Sequence, residues 1–374
     1  MKKLVSRLLG IAIVGFAALA GNACGSGSPS TSSGPTDPSQ MSPPPSGQGV
    51  QMLTDAFTVP PGNELQICYF FKMSDLLKQA GMDPTQPLDV HRVQIVQKPG
   101  SHHMNLFRVR TIFGLNPENG VVQTGKNGTG ACFVSSNWSD WPLLANTQAE
   151  GDQDWSYPDG VANQIEPTET LMLQTHYVNA ATQQTQQGVG QVGINLWSMA
   201  PSDVKYQMGT IFATNQNIRI CESNPTPTYS ATCQFGGNQP VQIIGANGHF
   251  HSRGKEFDIY SWDGKSTTQP PDSDRFYQSL DWAEPPMLHS PDLDVQVAAG
   301  GGFWWTCSYQ WQDPSVETNG VDTCETLNSI DATKHHTPAS EQDCCYTFGG
   351  VVDVNEHCNA FVYYYPKQDD VNCF

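Results

Sequence analysis

The stretch Val93-Gln94-Ile95-Val96-Gln97-Lys98-Pro99-Gly100-Ser101-His102-His103-Met104-Asn105-Leu106-Phe107-Arg108-Val109 holds two short apolar runs on either side of a Pro-Gly turn. Runs this short, rich in Val, Ile and Phe and bounded by turn residues, read as strands rather than helix. The same texture recurs at 170–178, 241–244, 256–262, 302–311 and 358–365. Only residues 73–80 have a helical pattern. With 34 Gly and 27 Pro punctuating the chain, the expected fold class is all-β. A polar loop at 180–188 and a turn near 199–202 divide the strands into two antiparallel β-sandwich domains in tandem, 51–199 and 200–374. No tandem repeat of fixed period is present, and turn residues dominate a long insert at 312–342.

Charge narrows the partners. The 374 residues carry 18 Lys+Arg against 36 Asp+Glu, a formal net charge of −18. A duplex binder needs clustered cations, so nucleic acid is excluded, and so is docking on an anionic lipid surface. Eleven cysteines suit an oxidising compartment better than the cytosol. Lys2, Lys3 and Arg7 precede an uncharged apolar run at 8–20, the pattern of a signal peptide and too short for a stable span. Cleavage fits after Ala18-Leu19-Ala20 or at Gly21-Asn22-Ala23-Cys24, a weak lipobox. Lipidation of Cys24 is favoured, because it leaves ten cysteines to pair. Residues 1–24 then form a lipoprotein signal, and Ser, Pro and Gly-rich 25–50 a disordered tether that cannot bury a core. The expected location is the bacterial cell envelope, lipid-anchored, or secretion, with the lipid as the sole membrane contact. No later segment approaches eighteen uncharged apolar residues.

Histidines carry the chemistry. His249 and His251 are two apart in Gly248-His249-Phe250-His251, and alternate residues of a strand share a face, so the pair can chelate copper, zinc or iron. Gln174 and His176 lie on the face opposite Leu171 and Leu173. His102 and His103 are adjacent, and a regular strand sends neighbours to opposite faces. Both reach one metal only at a bulge or strand end, which Gly100 permits. His91, His289 and the His335-His336 pair read as surface residues. Gly300-Gly301-Gly302 lacks a P-loop lysine, and neither Gly-x-Ser-x-Gly nor His-Glu-x-x-His occurs.

Taken in order, His102-His103-Met104-Asn105-Leu106-Phe107, Leu173-Gln174-Thr175-His176-Tyr177, His249-Phe250-His251-Ser252-Arg253-Gly254-Lys255, and Gly349-Gly350 followed by Glu356-His357-Cys358-Asn359 resemble the copper type II, ascorbate-dependent monooxygenases. That family includes peptidylglycine α-hydroxylating monooxygenase and dopamine β-monooxygenase. The resemblance runs from about residue 55 to the end. It implies two jelly-roll domains, each holding one copper, facing a solvent-filled cleft. His102, His103 and His176 would hold the electron-transfer copper. His249 and His251 would hold the oxygen-binding copper, making this the catalytic site. The family's third ligand there is methionine, and His357 occupies the matching position. Thioether favours Cu(I) whereas imidazole also suits Cu(II) and zinc, so the tuning of this site differs from the family's. Met287 is the alternative source of sulfur.

The resemblance also bears on substrate and disulfides. Asn247 stands where the peptide-specific members carry a carboxylate-gripping arginine, Phe361 where they carry a tyrosine, and Asn359 is retained. Without the guanidinium, a peptide carboxyl terminus lacks its bidentate partner. Aromatics such as Trp304, Trp305 and Phe250 hint at an apolar substrate, though most read as core. The implied disulfides are Cys68–Cys132, Cys233–Cys373 and Cys307–Cys358. For Cys221, Cys324, Cys344 and Cys345, a vicinal ring is disfavoured because adjacent Cα atoms sit too close, so one of the Cys344-Cys345 pair takes Cys324 and the other Cys221. The expected activity is dicopper monooxygenation of an activated C–H bond in a non-peptide small molecule, using dioxygen and ascorbate or another reductant. The alternatives are a non-catalytic envelope copper-binding protein of the same fold and a hydrolytic three-histidine zinc site.

Overall fold

A computed structural model of the chain describes residues 37–109, 122–126, 129–130, 142–148, 151–181, 183, 185–312, 345–349 and 355–373. The expected all-β class holds. One six-stranded sheet runs in the order Gly49–Leu53, Val192–Ser198, Leu88–Gln97, Val161–Ile165, Tyr206–Gln207, with Gln153–Ser156 also paired to Leu88–Gln97. A second runs Thr129–Gly130, Val122–Lys126, Asn63–Lys72, Thr170–Asn179, Ser101–Val109, Leu143–Thr147. The C-terminal half builds two five-stranded sheets. Gly209–Thr214, Asn359–Tyr365, Val241–His249 and Leu288–His289 form one, with Val295–Val297 on Val241–His249. Arg275–Ser279, Gly254–Trp262, Gly302–Tyr309, Thr228–Phe235 and Val371–Cys373 form the other. Among the described strands pairing is antiparallel, except for two short parallel contacts. The α-helix Met73–Gln79 falls where the sequence places it, burying Met73, Leu76 and Leu77. It is not long or apolar enough to cross a membrane.

The quoted turn does not close a hairpin. Leu88–Gln97 lies in the first sheet and Ser101–Val109 in the second, so the chain crosses between layers at Pro99-Gly100. Gly100 adopts φ +91°, a region closed to most L residues. Two buried apolar clusters fill the layers. The first is built largely from residues before Met208 but takes in Ile244, Phe361 and Tyr363, so the C-terminal half seals one side of it. Hydrogen bonds reinforce that seam: Asn146 N donates to the Tyr363 hydroxyl at 3.0 Å, and Asn146 Nδ2 to Asn247 Oδ1 at 2.9 Å.

The packed chain starts earlier than composition suggests. Residues 37–50 were expected to belong to the tether, yet Pro38 and Met41 are buried and Gln51 Nε2 donates to the Met41 carbonyl. Asp37 pairs with Lys98 at 2.5 Å. A few apolar and charged contacts outweigh the polar composition there. Residues 1–36, with Cys24, lie outside the described set, as do Cys132, Cys324, Cys344, His335 and His336.

Cys233–Cys373 and Cys307–Cys358 form as the resemblance implies, and Cys221 takes Cys345. Cys68 is also disulfide-bonded. These bonds indicate an oxidising extracellular or envelope location. Loss of the Cys307–Cys358 bond, by Cys307→Ala with Cys358→Ala, should destabilise the fold by about 2–5 kcal/mol in denaturant titration.

Candidate metal centre

Six histidines converge on one buried place. Ser101–Val109 pairs with Thr170–Asn179 in a register that sets His176 opposite His103 and Tyr177 opposite Ser101, so His102 is the extra residue of a bulge. The bulge turns both neighbours toward the same side, and their ring centroids lie 5.2 Å apart. His176 lies 4.9 Å from His103 and 5.2 Å from His102. Metal-binding atoms of these three rings fall within 4.8 Å of one another.

The second set is held by the C-terminal half. His249 ends its strand, His251 follows two residues later, and their rings are 5.1 Å apart. His357 lies 5.0 Å from His249 and 4.4 Å from His251. Three tethers fix the His357 segment to strand Gly302–Tyr309. Tyr309 Oη donates to the His357 carbonyl at 2.5 Å, Trp305 Nε1 to the Cys358 carbonyl at 3.3 Å, and Cys358 is bridged to Cys307. Glu356, fully buried, accepts from the backbone N–H groups of His251 and Arg253 at 2.9 Å, tying the His251 turn to the His357 segment. Burial pushes its carboxyl up to about 7.

The two sets touch. His102 lies 5.2 Å from His249 and 5.8 Å from His251, and His103 lies 5.0 Å from His249. By distance His102 groups as readily with His249 and His251 as with its own partners. The solvent-filled cleft expected between the sets is therefore not what the structure shows. The physical reason is the seam already described, which packs the polar face of strand Thr170–Asn179 beneath the C-terminal half.

All six residues are between 0 and 9 % exposed. Burial, reinforced by neighbouring imidazoles, holds His102, His103, His249 and His357 well below the ordinary histidine value; in His251 burial does so as well. These five are neutral near pH 7 and offer lone pairs. Seven of their ring nitrogens are buried without a hydrogen-bond partner: His102 Nε2, His103 Nδ1, His176 Nδ1, both of His249, His251 Nε2 and His357 Nδ1. Each such group carries a desolvation cost of about 1–3 kcal/mol, so the cluster has no purpose as packing alone. A metal ion would satisfy these atoms, and imidazole donors suit copper or zinc.

Two of the remaining nitrogens fix tautomers. His176 Nε2 lies 3.0 Å from Glu64 Oε2, which leaves Nδ1 for a metal. His251 Nδ1 lies 2.9 Å from the Asn355 carbonyl, which leaves Nε2. Glu64 has no sequence signal as a site residue; it enters through its strand's pairing with Thr170–Asn179. Glu64→Ala should weaken metal binding at the His176 set by about 10–100-fold in chelator competition, with little change at the other set.

Other expectations sort differently. Asn359 and Phe361 line a pocket beside His103, His249 and His357, whereas Asn247 is spent on Asn146. Trp305 and Phe250 belong to the second core. His289 is not a plain surface residue, because its ring stacks on Trp155 at 4.2 Å and burial pushes it down to about 3.

No family model matches the chain, and no curated protein matches it. Among solved structures, recombinant N-glycanase F (PNGase F) is similar over 87% of this chain and 99% of its own, at 8% identity and TM-score 0.29. The infectious bursal disease virus VP2 subviral particle is similar over 91% of this chain and 81% of its own, at 10% identity and TM-score 0.17. At such scores neither structure informs fold or function.

Proposed function

We propose that the protein is a dicopper monooxygenase of tandem jelly-roll domains that hydroxylates an activated C–H bond of a small non-peptide molecule. The observation that carries this reading is the cluster of seven unpartnered imidazole nitrogens, contributed by four sequence motifs in the family's order. His102, His103 and His176 would hold one copper; His249, His251 and His357 would hold the other. Copper, when bound, supplies one-electron chemistry and activation of dioxygen. The overall conversion is R–H + O2 + 2 e⁻ + 2 H⁺ → R–OH + H2O, the electrons coming from ascorbate or another external donor.

The chain's own residues orient and enclose. Glu64 and the Asn355 carbonyl hold the His176 and His251 rings in single tautomers, while Glu356 and Tyr309 position the segments bearing His251 and His357. Burial of all six histidines excludes bulk water from the chemistry. The third imidazole is expected to lower the potential of its copper, and His357→Met should raise it in a redox titration followed by electron paramagnetic resonance. The test of function is copper loading followed by ascorbate-driven oxygen uptake, with ¹⁸O from labelled dioxygen recovered in a hydroxylated product. Two coppers bound with no uptake under any reductant would favour the second reading, an envelope copper-binding protein, which the deep enclosure of the rings also suits.

A further inference from the structure

His249 differs from the five other clustered rings in its free nitrogens. Each of the others contributes a single buried nitrogen without a hydrogen-bond partner, whereas both nitrogens of His249 are so placed. In His176 and His251 the second nitrogen is taken up by Glu64 Oε2 and by the Asn355 carbonyl. His249 is only 2% exposed. Its ring neighbours both sets, with His102 at 5.2 Å and His103 at 5.0 Å from the first, and His251 at 5.1 Å and His357 at 5.0 Å from the second. A donor nitrogen of His249 lies within 4.8 Å of donor nitrogens of both His102 and His251.

A neutral imidazole has one ring lone pair and one N–H. A single metal therefore satisfies one nitrogen of His249 and leaves the other buried and unpaired, at a cost of about 1–3 kcal/mol. A second metal can take that nitrogen once its proton has gone. Two cations held this close repel each other in a low-dielectric interior, and a negatively charged ring between them offsets the repulsion. Water in the adjoining cavity, which Gln66, Gln148, His103 and His357 also line, is the competing partner for the N–H. It would satisfy the donor but leave the repulsion in place. We infer that His249 bridges the two metals as an imidazolate, one nitrogen to each, so that the six histidines hold a coupled pair rather than two independent ions. As the second ion binds, a nitrogen–metal bond forms, the N–H bond breaks and the proton leaves to solvent, with no electron transferred. The inference rests on the copper reading of the histidines.

The test loads the oxidised protein with copper(II) and counts unpaired spins by electron paramagnetic resonance. Sparse copper(II) in an otherwise zinc-filled sample supplies isolated ions and should give one spin per copper. With copper(II) in both positions, exchange through the ring should remove nearly all of that signal at low temperature. Two full spins per chain, the result expected if water accepts from the N–H, overturns the bridge. A shared hydroxide would also silence the pair, but it brings two metals to about 3.5–4 Å. A copper–copper shell at that separation in X-ray absorption therefore overturns the assignment as well. His249→Leu should give one spin for every copper it retains, and a silent pair in this variant counts against the bridge. Copper content and ascorbate-driven oxygen uptake are measured alongside. A coupled pair without uptake under any reductant removes the monooxygenase reading and leaves the bridge standing, whereas uptake with two full spins removes only the bridge.

Discussion

His249→Leu should abolish ascorbate-driven oxygen uptake and yet leave the metal-free protein as stable as the parent, or more so. The ring of His249 lies between 5.0 and 5.2 Å from those of His102, His103, His251 and His357, so it neighbours members of both sets. Neither of its nitrogens has a partner. Leucine removes that buried polar group at similar volume, which relieves about 1–3 kcal/mol in the metal-free state. In the loaded state the same change deletes a ligand. The loss of activity should exceed the roughly 10–100-fold that follows loss of an outer-shell partner. Thermal midpoints with and without copper, alongside oxygen uptake, separate the outcomes. A histidine kept for packing would instead lower metal-free stability and spare activity.

Acidification should unfold the metal-free protein well before the copper-loaded one. His102, His103, His249, His251 and His357 are held well below their ordinary value of 6.5 in the fold, while the unfolded chain titrates near that value. Below 6.5 the unfolded state therefore binds more protons. Stability is fully present above that pH and is lost as pH falls beneath it, by up to about 1.4 kcal/mol per pH unit for each histidine. Copper adds stability by mass action, roughly 4 kcal/mol per site at a thousand times its dissociation constant, and protons compete with it for the same nitrogens. Denaturant midpoints should fall between pH 7.5 and 5 in both forms, the copper-loaded protein staying higher throughout by its binding increment. A flat metal-free profile would mean that the rings are not buried and neutral together.

Local patterns were readable from the sequence, and what covers them was not. Alternation correctly set Gln174 and His176 on the face opposite Leu171 and Leu173, but all four are buried, because the C-terminal half closes over the polar face. The bulge at His102 was legible as a need: two adjacent histidines serve one site only if the register slips. Its partners were not. Glu64, Gln66 and Gln148 come to the histidines through strand pairing and the seam between halves, and nothing adjacent to them in sequence marks them. Asn247 shows the converse, since a position that the proposed resemblance would assign to substrate is spent on Asn146. His289 reads as a residue after a Pro-rich turn, and long-range stacking on Trp155 leaves it only half exposed.

X-ray absorption at the copper edge of the reduced protein tests the central claim most directly. The account predicts two coppers per chain, nitrogen scatterers with the multiple-scattering pattern of imidazole, and no sulfur shell. His357→Ala should lower the nitrogen count at one copper only. A sulfur scatterer that persists in His357→Ala, or a chain that takes up no copper at neutral pH, would contradict it.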